Sequence, residues 1–434
     1  MKIHTTYGRG ANITEKLLRQ LEGRSGLATE KLTPTVRRML LAVRRGGDAS
    51  LRRYAQKLDG LAADAPFRVT QEEMAAAWRE TPAELRQSMR MAATNIRRFA
   101  QWQVPKSWSR KAQGGLQLGQ RCLPLASVGC YVPGGRYPLP STLLMTVLPA
   151  QVAGVERIVV VSPRPAKETI AAAHLAGVGE FYRIGGAQAI AALAYGTESI
   201  PRVDKIVGPG NLYVTTAKKL VAFDCGIDML AGPTEIVVAS ENGDPACIAS
   251  DLVAQAEHDP NALAVFVSNN KKLAEMVALQ VEQQAVGNMV AKQSLLKNGH
   301  IFVTASQKET AIVTNRLAPE HLTIDNASDM HWVRHAGSIF IGNGTPQSMG
   351  DYISGPNHVL PTGRVARTRA GLSVYDFLRL VTTQSYTSGA LDALGPHAIR
   401  LAEAEGLHGH AASVRFRLQT KKKDIQPRKG AAAL

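Results

Sequence analysis

The feature that most constrains the fold is a regular alternation of β-rich and helical segments that begins near residue 126. Apolar segments such as ERIVVVS and ALAVFVS alternate with helix-length segments such as KETIAAAHLAG and KKLAEMVALQVEQQ, and the pattern restarts at TEIVVAS. Because parallel neighbouring strands need a helix-length connection, this alternation predicts parallel sheets covered by helices. We therefore predict an α/β protein with two Rossmann-like, doubly wound units, one over residues 126–233 and one over residues 234–374.

A helical region precedes the two α/β units. Apolar residues at helical spacing predict helices over 35–57 and 71–103, and Gly46-Gly47 with Asp48 interrupts the first of them. We expect this N-terminal region, residues 1–125, to pack on the second α/β unit.

Helical character returns near 375–405 and predicts a C-terminal helical segment over 375–434. The segment ends in the lysine- and arginine-rich run KKKDIQPRKGAAAL, which is typical of a solvated chain end.

The formal net charge of +16 favours an anionic cofactor or substrate. Residues 415–434 hold seven Lys or Arg and one Asp, a net +6, so the other 414 residues still carry +10. A nucleic-acid partner is not expected, because the sequence has no helix-turn-helix, RRM or zinc-finger signature and only 5% aromatic residues.

The sequence predicts a cytoplasmic protein with no membrane segment. Its first residues lack the apolar stretch of a secretory signal. The uncharged run 137–155 contains Pro138, Pro140 and Pro149, which favour a buried loop and helix over a membrane span. The four cysteines lie far apart with no C-x-x-C pair, which fits a reducing compartment.

Three predicted strands end in glycine turns, Pro133-Gly134-Gly135, Gly185-Gly186 and Gly208-Pro209-Gly210. Glycine allows close approach of the backbone to a ligand, and the helix that follows offers free N–H groups to an anion. None of the three is a complete G-x-G-x-x-G, so each is also explained as an ordinary turn. Their shared position at one predicted sheet edge keeps both a dinucleotide site and simple turns open.

Several polar clusters could carry chemistry: Gln255 with His258 in AQAEHDPNA, Glu320 with His321 in APEHL, Asp351 with His358 in MGDYISGPNHVLPT, and Glu405 with His408 and His410 in EAEGLHGH. Gln255 and His258 are three apart on a predicted helix end, so both side chains could reach one metal ion. Glu320 and His321 could present an acid and a base to one substrate. Each cluster could instead be a solvated helix end or a charged loop. Together, carboxylates, imidazoles and an amide form a plausible zinc site with an open position.

The chain resembles the histidinol dehydrogenase family. The resemblance is carried by YVPGG, GGAQAIAALAYGTESIPRVDKIVGPGN, IDMLAGPTE, AQAEHDPNA, APEHL, GDYISGPNHVLPT and EAEGLHGH, which occur in the family's order over about residues 30–418. It implies a homodimeric, zinc-dependent enzyme that uses NAD twice to oxidise an amino alcohol to an aldehyde and then to the acid.

The resemblance also implies roles for individual residues. It implies the zinc ligands Gln255, His258, Asp351 and His410, the catalytic pair Glu320 and His321, the substrate contacts Thr234, His358 and Glu405, and the NAD contacts Tyr131, Gln188 and Asn211. In the family the C-terminal segment reaches the partner subunit, so active sites shared between two subunits are expected.

The implied mechanism divides the work between the catalytic pair. His321, acting neutral, takes the proton of the substrate hydroxyl while hydride passes to NAD, and Glu320 then activates the water that attacks the aldehyde. Zinc fixes the substrate rather than activating water. A thiohemiacetal on Cys130 is a less favoured route, since no base is evident beside that cysteine.

Departures from the family pattern leave the substrate open. Thr234 stands where the family usually has Ser, and Arg136-Tyr137 follows PGG where smaller or apolar residues are common. Arg364, Arg367 and Arg369 follow the HVLPT segment and could pair with an anionic group. The sequence therefore favours L-histidinol as substrate and keeps an anionic alcohol such as sulfopropanediol as the alternative. A basic binding protein without catalysis is less favoured, because the implied metal ligands are all present.

Overall fold

The computed structural model describes residues 1–24, 30–134 and 137–420, which form two compact units. Of the described residues, those within 1–104 and 125–377 form the first unit, and those within 105–124 and 378–420 form the second. Gly135, Arg136 and the basic tail 421–434, which were singled out in the sequence, lie outside the described residues.

The first unit contains two parallel sheets, as the alternation predicts. The five-stranded sheet consists of β4 (Ser127–Tyr131), β5 (Arg157–Val161), β6 (Glu180–Tyr182), β7 (Lys205–Val207) and β8 (Gly226–Ile227). The six-stranded sheet consists of β1 (Lys2–Thr5), β9 (Glu235–Ala239), β10 (Leu263–Ser268), β11 (Gly299–Val303), β12 (His321–Ile324) and β13 (Ser338–Ile341).

Helices connect the strands of both sheets. The helices of the first unit are α1 (Ala11–Glu22), α2 (Thr33–Tyr54), α3 (Gln71–Glu80), α4 (Ala83–Gln103), α5 (Pro140–Ala153), α6 (Lys167–Leu175), α7 (Gly186–Tyr195), α8 (Leu212–Val221), α9 (Pro245–Ala256), α10 (Lys271–Gln284), α11 (Met289–Asn298), α12 (Gln307–Leu317) and α13 (Gln347–Tyr352).

The two sheets share one doubly wound topology. Their orders are β6-β5-β4-β7-β8 and β11-β10-β9-β12-β13, and β1 extends the second sheet beyond β11. In each sheet the winding direction reverses beside the first strand of the α/β unit, between β4 and β7 and between β9 and β12. Such reversal points leave a crevice in which ligands bind. The Rossmann-like fold class predicted from the sequence is confirmed.

Strand β9 illustrates how the second sheet is buried on both faces. Ile236 and Val238 pack with residues of α9, α10 and α11 in one core. Val237 and Ala239 pack with residues of α1 and α12 in the other core. Successive side chains of a strand point to opposite faces, so a strand covered on both sides reads as a continuous apolar run. This is why TEIVVAS and ALAVFVS were recognisable as strands.

The N-terminal helices differ from the prediction in two respects. The predicted helix over 71–103 is two helices, α3 and α4, because Pro82 disfavours helical backbone at the residue before it and Thr81 is extended. Strand β1 pairs with β11 and α1 packs on α12, whereas α2 packs on α7 and α8, α3 on α6, and α4 on α5, with Asn95 of α4 also donating to the Ile353 carbonyl. The interruption expected at Gly46-Gly47 is present, since Gly47 has a φ of 45° inside α2.

The second unit combines a three-stranded antiparallel sheet with two helices. Strands β2 (Trp108–Lys111), β3 (Gln117–Pro124) and β14 (Leu378–Ser385) form the sheet in the order β14-β3-β2, and the helices are α14 (Ser388–Ala404) and α15 (His408–Gln419). The helical prediction for 375–405 is therefore wrong for Leu378–Ser385. The segment LRLVTTQS is rich in β-branched residues and pairs along its whole length with β3, which decides against the helix.

Among the described residues, no helix combines the length and apolarity that crossing a membrane would require.

Candidate active site

The polar clusters at the second sheet converge on one cavity of about 280 Å³ in the first unit. Its lining includes the predicted residues Thr234, Gln255, His258, Glu320, His321, Asp351 and His358. These positions span more than a hundred residues of sequence, so the fold, rather than local spacing, brings them together. A solvated loop or helix end does not explain their common cavity.

The predicted catalytic pair, Glu320 and His321, lies at the amino-terminal edge of the second sheet. His321 is the first residue of β12, and Glu320 precedes it after the turn that ends α12. Thr234 lies just before β9, whose Ile236 is the sheet partner of His321. The cavity is therefore at the opposite strand ends from those at which doubly wound sheets ordinarily bind ligands.

Glu320 is a buried carboxyl group with fixed partners. Its Oε2 accepts hydrogen bonds from Thr234 Oγ1 at 2.6 Å and from the backbone N–H of Glu235 at 2.8 Å. Burial raises the pKa of the Glu320 carboxyl, and the neighbouring His321 and the Thr234 hydrogen bond only partly oppose that shift. A carboxylate with a raised pKa is a stronger base, which suits proton abstraction from water.

His321 is held in one orientation by the backbone. Its Nδ1 lies 3.2 Å from the carbonyl oxygen of Glu235, and since a carbonyl only accepts, Nδ1–H is the donor. In the neutral ring Nε2 is then the basic nitrogen, and it lies 3.6 Å from Asp351 Oδ1. Burial lowers the pKa of His321, but the charges of Glu320 and Asp351 outweigh burial and raise it overall.

Asp351 lies on α13 and faces the histidines of the cavity. Burial raises the pKa of its carboxyl, but hydrogen bonding and charge from His321, together with His358 and His258, lower it overall. His358 Nδ1–H donates to the Asp351 carbonyl at 2.7 Å, and His358 Nε2 lies 3.2 Å from Thr142 Oγ1. Asp351 is therefore a carboxylate in a cluster of imidazoles.

Gln255 and His258 present atoms that could bind a metal ion. Gln255 lies at the end of α9 and is almost fully buried, its Nε2 donates to Thr234, and its Oε1 accepts from Gln347 Nε2 at 2.6 Å. His258 lies just past the helix end, and its Nδ1–H donates to the Ala254 carbonyl at 3.1 Å. The second lone pair of Gln255 Oε1 and the Nε2 of His258 remain available as ligands.

The first unit alone does not provide a complete metal site. Across residues 1–24, 30–134 and 137–420, no three His, Cys, Asp or Glu side chains are placed to hold a metal ion. The predicted ligands in this unit include only two such side chains, His258 and Asp351, with the amide of Gln255. The remaining predicted ligand, His410, lies in the second unit, where it lines a cavity together with Glu405.

The predicted NAD contacts lie together in a second cavity of the first unit, about 640 Å³ in volume. Tyr131, Gln188 and Asn211 line it with Gly134 and Gly186, so two of the three glycine turns, and the residue that follows the third, face one cavity. The Gly186 N–H donates to Tyr131 Oη at 3.1 Å, and burial raises the pKa of Tyr131 to about 12.

Two polar residues of this cavity, Gln188 and Asn211, have distinct hydrogen-bond environments. Gln188 is fully buried, its Nε2 donates to Asp59 at 3.0 Å, and its Oε1 has no hydrogen-bond partner among the described residues. An unpaired buried oxygen is costly and is expected to have a partner when a ligand is bound. Asn211 has an additional structural role, because its side chain accepts from the N–H groups of Tyr213 and Val214 and caps α8.

A buried ion pair anchors the third glycine turn. Lys218 Nζ pairs with Asp228 and donates to the Gly208 carbonyl at 2.9 Å, while the Gly208 N–H donates to Asp228 Oδ2 at 2.7 Å. Gly208 has a φ of 110°, and a Cβ atom there would lie 2.1 Å from the Tyr131 carbonyl oxygen. Only glycine therefore fits the backbone conformation and the close contact of this turn, which adjoins Asn211.

Comparison with known proteins identifies the family of this chain. The model of the histidinol dehydrogenase family matches residues 22–418. The histidinol dehydrogenase of a Synechococcus species is 45% identical over 401 residues, which cover 89% of this chain and 92% of that protein. The histidinol dehydrogenase of Methanothermobacter thermautotrophicus is 44% identical over 414 residues, which cover 92% of this chain and 96% of that protein. This chain belongs to the histidinol dehydrogenase family.

The fold of a family member agrees with that of this chain. A crystal structure of histidinol dehydrogenase from Elizabethkingia anophelis matches with a TM-score of 0.91 and 32% identity, and covers 98% of this chain and 99% of that one. Membership of the histidinol dehydrogenase family makes the chain an oxidoreductase that acts on an alcohol group, as predicted.

The structure does not favour the anionic-alcohol alternative within the histidinol dehydrogenase family. Arg364 donates to the Glu22 carbonyl at 2.9 Å, and Arg369 pairs with Asp376 at 2.7 Å. Neither these two residues nor Arg367 is among the described residues that line the cavity of the catalytic pair. Arg364 and Arg369 therefore bind other groups of the protein, and none of the three arginines lines the proposed substrate cavity.

The alternative cysteine nucleophile is not supported either. Cys130 is fully buried in β4, and burial raises the pKa of its thiol to about 12. A thiol with such a pKa supplies almost no thiolate near neutral pH.

Sequence reasoning missed three polar residues that contact predicted site residues: Gln347, Asp59 and Thr142. Gln347 could have been found, because it lies four residues before Asp351 and so shares a helix face with it. Asp59 and Thr142 give no comparable signal, since their partners, Gln188 and His358, are far away in the sequence.

Proposed function

We propose that this chain oxidises L-histidinol through the bound aldehyde to L-histidine, with two NAD reduced and one water consumed. The observation that carries the proposal is the catalytic cavity, in which Glu320 and His321 adjoin Thr234, Gln255 and Asp351. The names of the similar proteins supply the substrate, and the cavity supplies a base for each oxidation step.

Zinc is proposed as the resident metal, held by Gln255, His258 and Asp351 and by His410 of the partner subunit. The free Nε2 of His258 and the remaining lone pair of Gln255 Oε1 suit this ion, as does the carboxylate of Asp351. When bound, zinc supplies a Lewis acid that fixes the amino alcohol in one orientation.

NAD is proposed to occupy the cavity of Tyr131, Gln188 and Asn211. The unpaired Oε1 of Gln188 and the glycine turns suit a polar ligand that approaches the backbone closely. When bound, NAD accepts the hydride of each oxidation step, and the first molecule must be exchanged for a second.

His321 is proposed as the base that removes the proton of the substrate hydroxyl. Its Nδ1–H is committed to the Glu235 carbonyl, so Nε2 takes the proton, and the nearby Asp351 carboxylate stabilises the imidazolium. The role requires that His321 start neutral.

Glu320 is proposed as the base that activates water in the second step. Thr234 and the Glu235 N–H hold one of its oxygens, which leaves the other to take a proton from water as that water attacks the aldehyde carbon. As water adds, His321 gives its proton to the aldehyde oxygen, and it takes a hydroxyl proton back from the hydrate as the second hydride leaves, so the product is the carboxylic acid.

Substrate contacts are proposed from Thr234 and His358 and from the partner subunit's Glu405. The active enzyme is accordingly a homodimer with two shared sites, located in the cytoplasm. The predicted division into domains at residues 125, 233 and 374 remains part of this proposal.

A substrate panel tests the proposed function. With purified protein, zinc and NAD, we expect two NADH to form for each L-histidinol, and no NADH from sulfopropanediol or from a simple amino alcohol that lacks the imidazole. Absorbance of NADH at completion gives the stoichiometry. NADH formation with the sulfonate alone would contradict the proposed substrate, and one NADH per L-histidinol would contradict the four-electron reaction.

A further inference from the structure

Both members of the catalytic pair are held by the backbone of a single residue, Glu235. Its N–H donates to Glu320 Oε2 at 2.8 Å, and its carbonyl accepts from His321 Nδ1–H at 3.2 Å. Any displacement of the Glu235 backbone would therefore move both bases with respect to the cavity.

The side chain of Glu235 is anchored away from the reacting atoms. Its carboxylate pairs at two points with Arg24, Nε to Oε1 at 2.6 Å and Nη2 to Oε2 at 2.7 Å, and accepts from the Gly363 N–H at 2.9 Å. The side chains of Glu235 and Arg24 are 4% and 15% exposed. Among the described residues, neither lines the cavity of the catalytic pair.

Arg24 is itself fixed by the main chain around it. Nη1 donates to the Leu21 carbonyl at 2.6 Å and Nη2 to the Leu317 carbonyl at 2.8 Å, so its guanidinium joins the ends of α1 and α12 to the start of β9. Two-point pairing of a planar guanidinium with a carboxylate fixes direction as well as distance.

We propose that Arg24 and Glu235 are positioning residues for the catalytic pair, acting through the backbone of Glu235. The inference rests on the proposed roles of Glu320 and His321. Arg24 and Glu235 line a separate cavity of about 350 Å³, and neither lines the cavity proposed for the substrate or the one proposed for NAD. We therefore expect their effect to fall on the rate of the chemical steps rather than on substrate binding. Displacements of the order of 1 Å in an active site can lower the rate about a hundredfold.

A second arginine offers a matched control at the same helix interface. Arg316 of α12 pairs with Glu15 at 2.7 Å and with Glu22 at 2.9 Å, and so also ties α1 to α12. No contact recorded for Arg316 reaches β9 or the catalytic pair within the described residues. A variant of Arg316 loses a comparable structural link without the link to Glu235.

The test compares Arg24→Gln with Arg316→Gln in the full-length, zinc-loaded enzyme. We expect Arg24→Gln to lower kcat for L-histidinol about tenfold to a hundredfold, with KM for L-histidinol and NAD within about twofold of the unchanged enzyme. We expect Arg316→Gln to keep kcat within about twofold of the unchanged enzyme. Its thermal unfolding temperature should fall about as far as that of Arg24→Gln. Equal kcat in the two variants would overturn the inference.

Two further variants keep the test decisive if Arg24→Gln does not fold. Arg24→Lys retains the charge but loses the two-point contact, and Glu235→Gln retains the shape, so both are expected to fold and to lose kcat selectively. Unchanged kcat in both would overturn the inference. If His321→Asn kept full activity, the proposed roles of Glu320 and His321 would fail, and the inference with them. If His321→Asn is inactive and Arg24→Lys is not impaired, only the inference fails.

Discussion

Replacing His321 by Asn is expected to lower kcat for L-histidinol by about 10²–10⁴-fold, the usual effect of losing a general base. Both oxidation steps should suffer, because the same imidazole must receive a proton in each. The ring is buried and its Nδ1–H donates to the Glu235 carbonyl, so Nε2 is the base, and Asn supplies no basic nitrogen in its place. Steady-state NADH formation measures the loss.

The pH dependence of the same two enzymes gives a second readout. The unchanged enzyme should lose kcat as the pH falls through the pKa of His321, because protonation removes the base. In the chain without metal, the charges of Glu320 and Asp351 raise the pKa of His321, and a zinc ion bound to Asp351 would oppose the contribution of Asp351. His321→Asn should lack this acidic limb.

A buried histidine of the same sheet provides the control. His300 lies on β11 and contacts His4 at 3.3 Å, away from the catalytic cavity. His300→Asn should keep kcat within about twofold of the unchanged enzyme. A His321→Asn enzyme as active as His300→Asn would show that the imidazole is not the base.

Replacing Glu320 by Gln is expected to separate the two oxidation steps. Oxidation of supplied L-histidinal should fall by about 10²–10³-fold, because the amide cannot take a proton from the attacking water. Oxidation of L-histidinol to the aldehyde should fall less, by about tenfold at most, since His321 retains its contact with the Glu235 carbonyl. Rapid mixing with limiting enzyme measures the first NADH separately from the second.

Glu180 is a suitable control for the Glu320 variant. Its carboxylate is partly buried and pairs with Arg157 at 2.7 Å in the first sheet, so Glu180→Gln removes a paired carboxylate far from the proposed chemistry. We expect that variant to lose neither step. Equal losses of the two steps in Glu320→Gln would contradict the assigned division of work between Glu320 and His321.

The repeated α/β architecture could be predicted from the sequence because parallel strands buried on both faces are continuous apolar runs. The strands 157–161 and 263–268 and the helices between them follow directly from this rule. The strand Leu378–Ser385 could not be predicted by this rule. Seven of its eight residues are exposed to solvent, so it is not a continuous buried run. Its pairing with β3, some 250 residues earlier, decides its conformation.

The proposed catalytic residues are recognisable as motifs, but their geometry could not be predicted from the sequence. The adjacency of Glu320 and His321 indicated an acid and a base, yet nothing local showed that the backbone of Glu235 would hold both. The pairing of Arg24 with Glu235 joins positions 211 residues apart and leaves no periodicity to detect. Such contacts follow from the order of strands in the sheet rather than from spacing along the chain.

The general rule for doubly wound sheets predicts only one of the two cavities. The glycine turns lie at the carboxyl ends of β4, β6 and β7, where the rule places a ligand. The catalytic pair lies at the amino ends of the second sheet's strands, because the loop before β9 and the turn before β12 carry Thr234 and Glu320. Motifs indicated a site at these residues, where the topological rule does not place one.

Mixing two inactive variants tests the shared zinc site most directly. Asp351→Asn and His410→Asn should each lose activity and bound zinc when pure. After subunit exchange, each mixed dimer should contain one site with both native ligands, so roughly a quarter of the unchanged enzyme's activity should return, accompanied by zinc binding. If mixed dimers form, as mass spectrometry of the intact dimer would show, and no activity returns, a site completed by the partner subunit's His410 is contradicted.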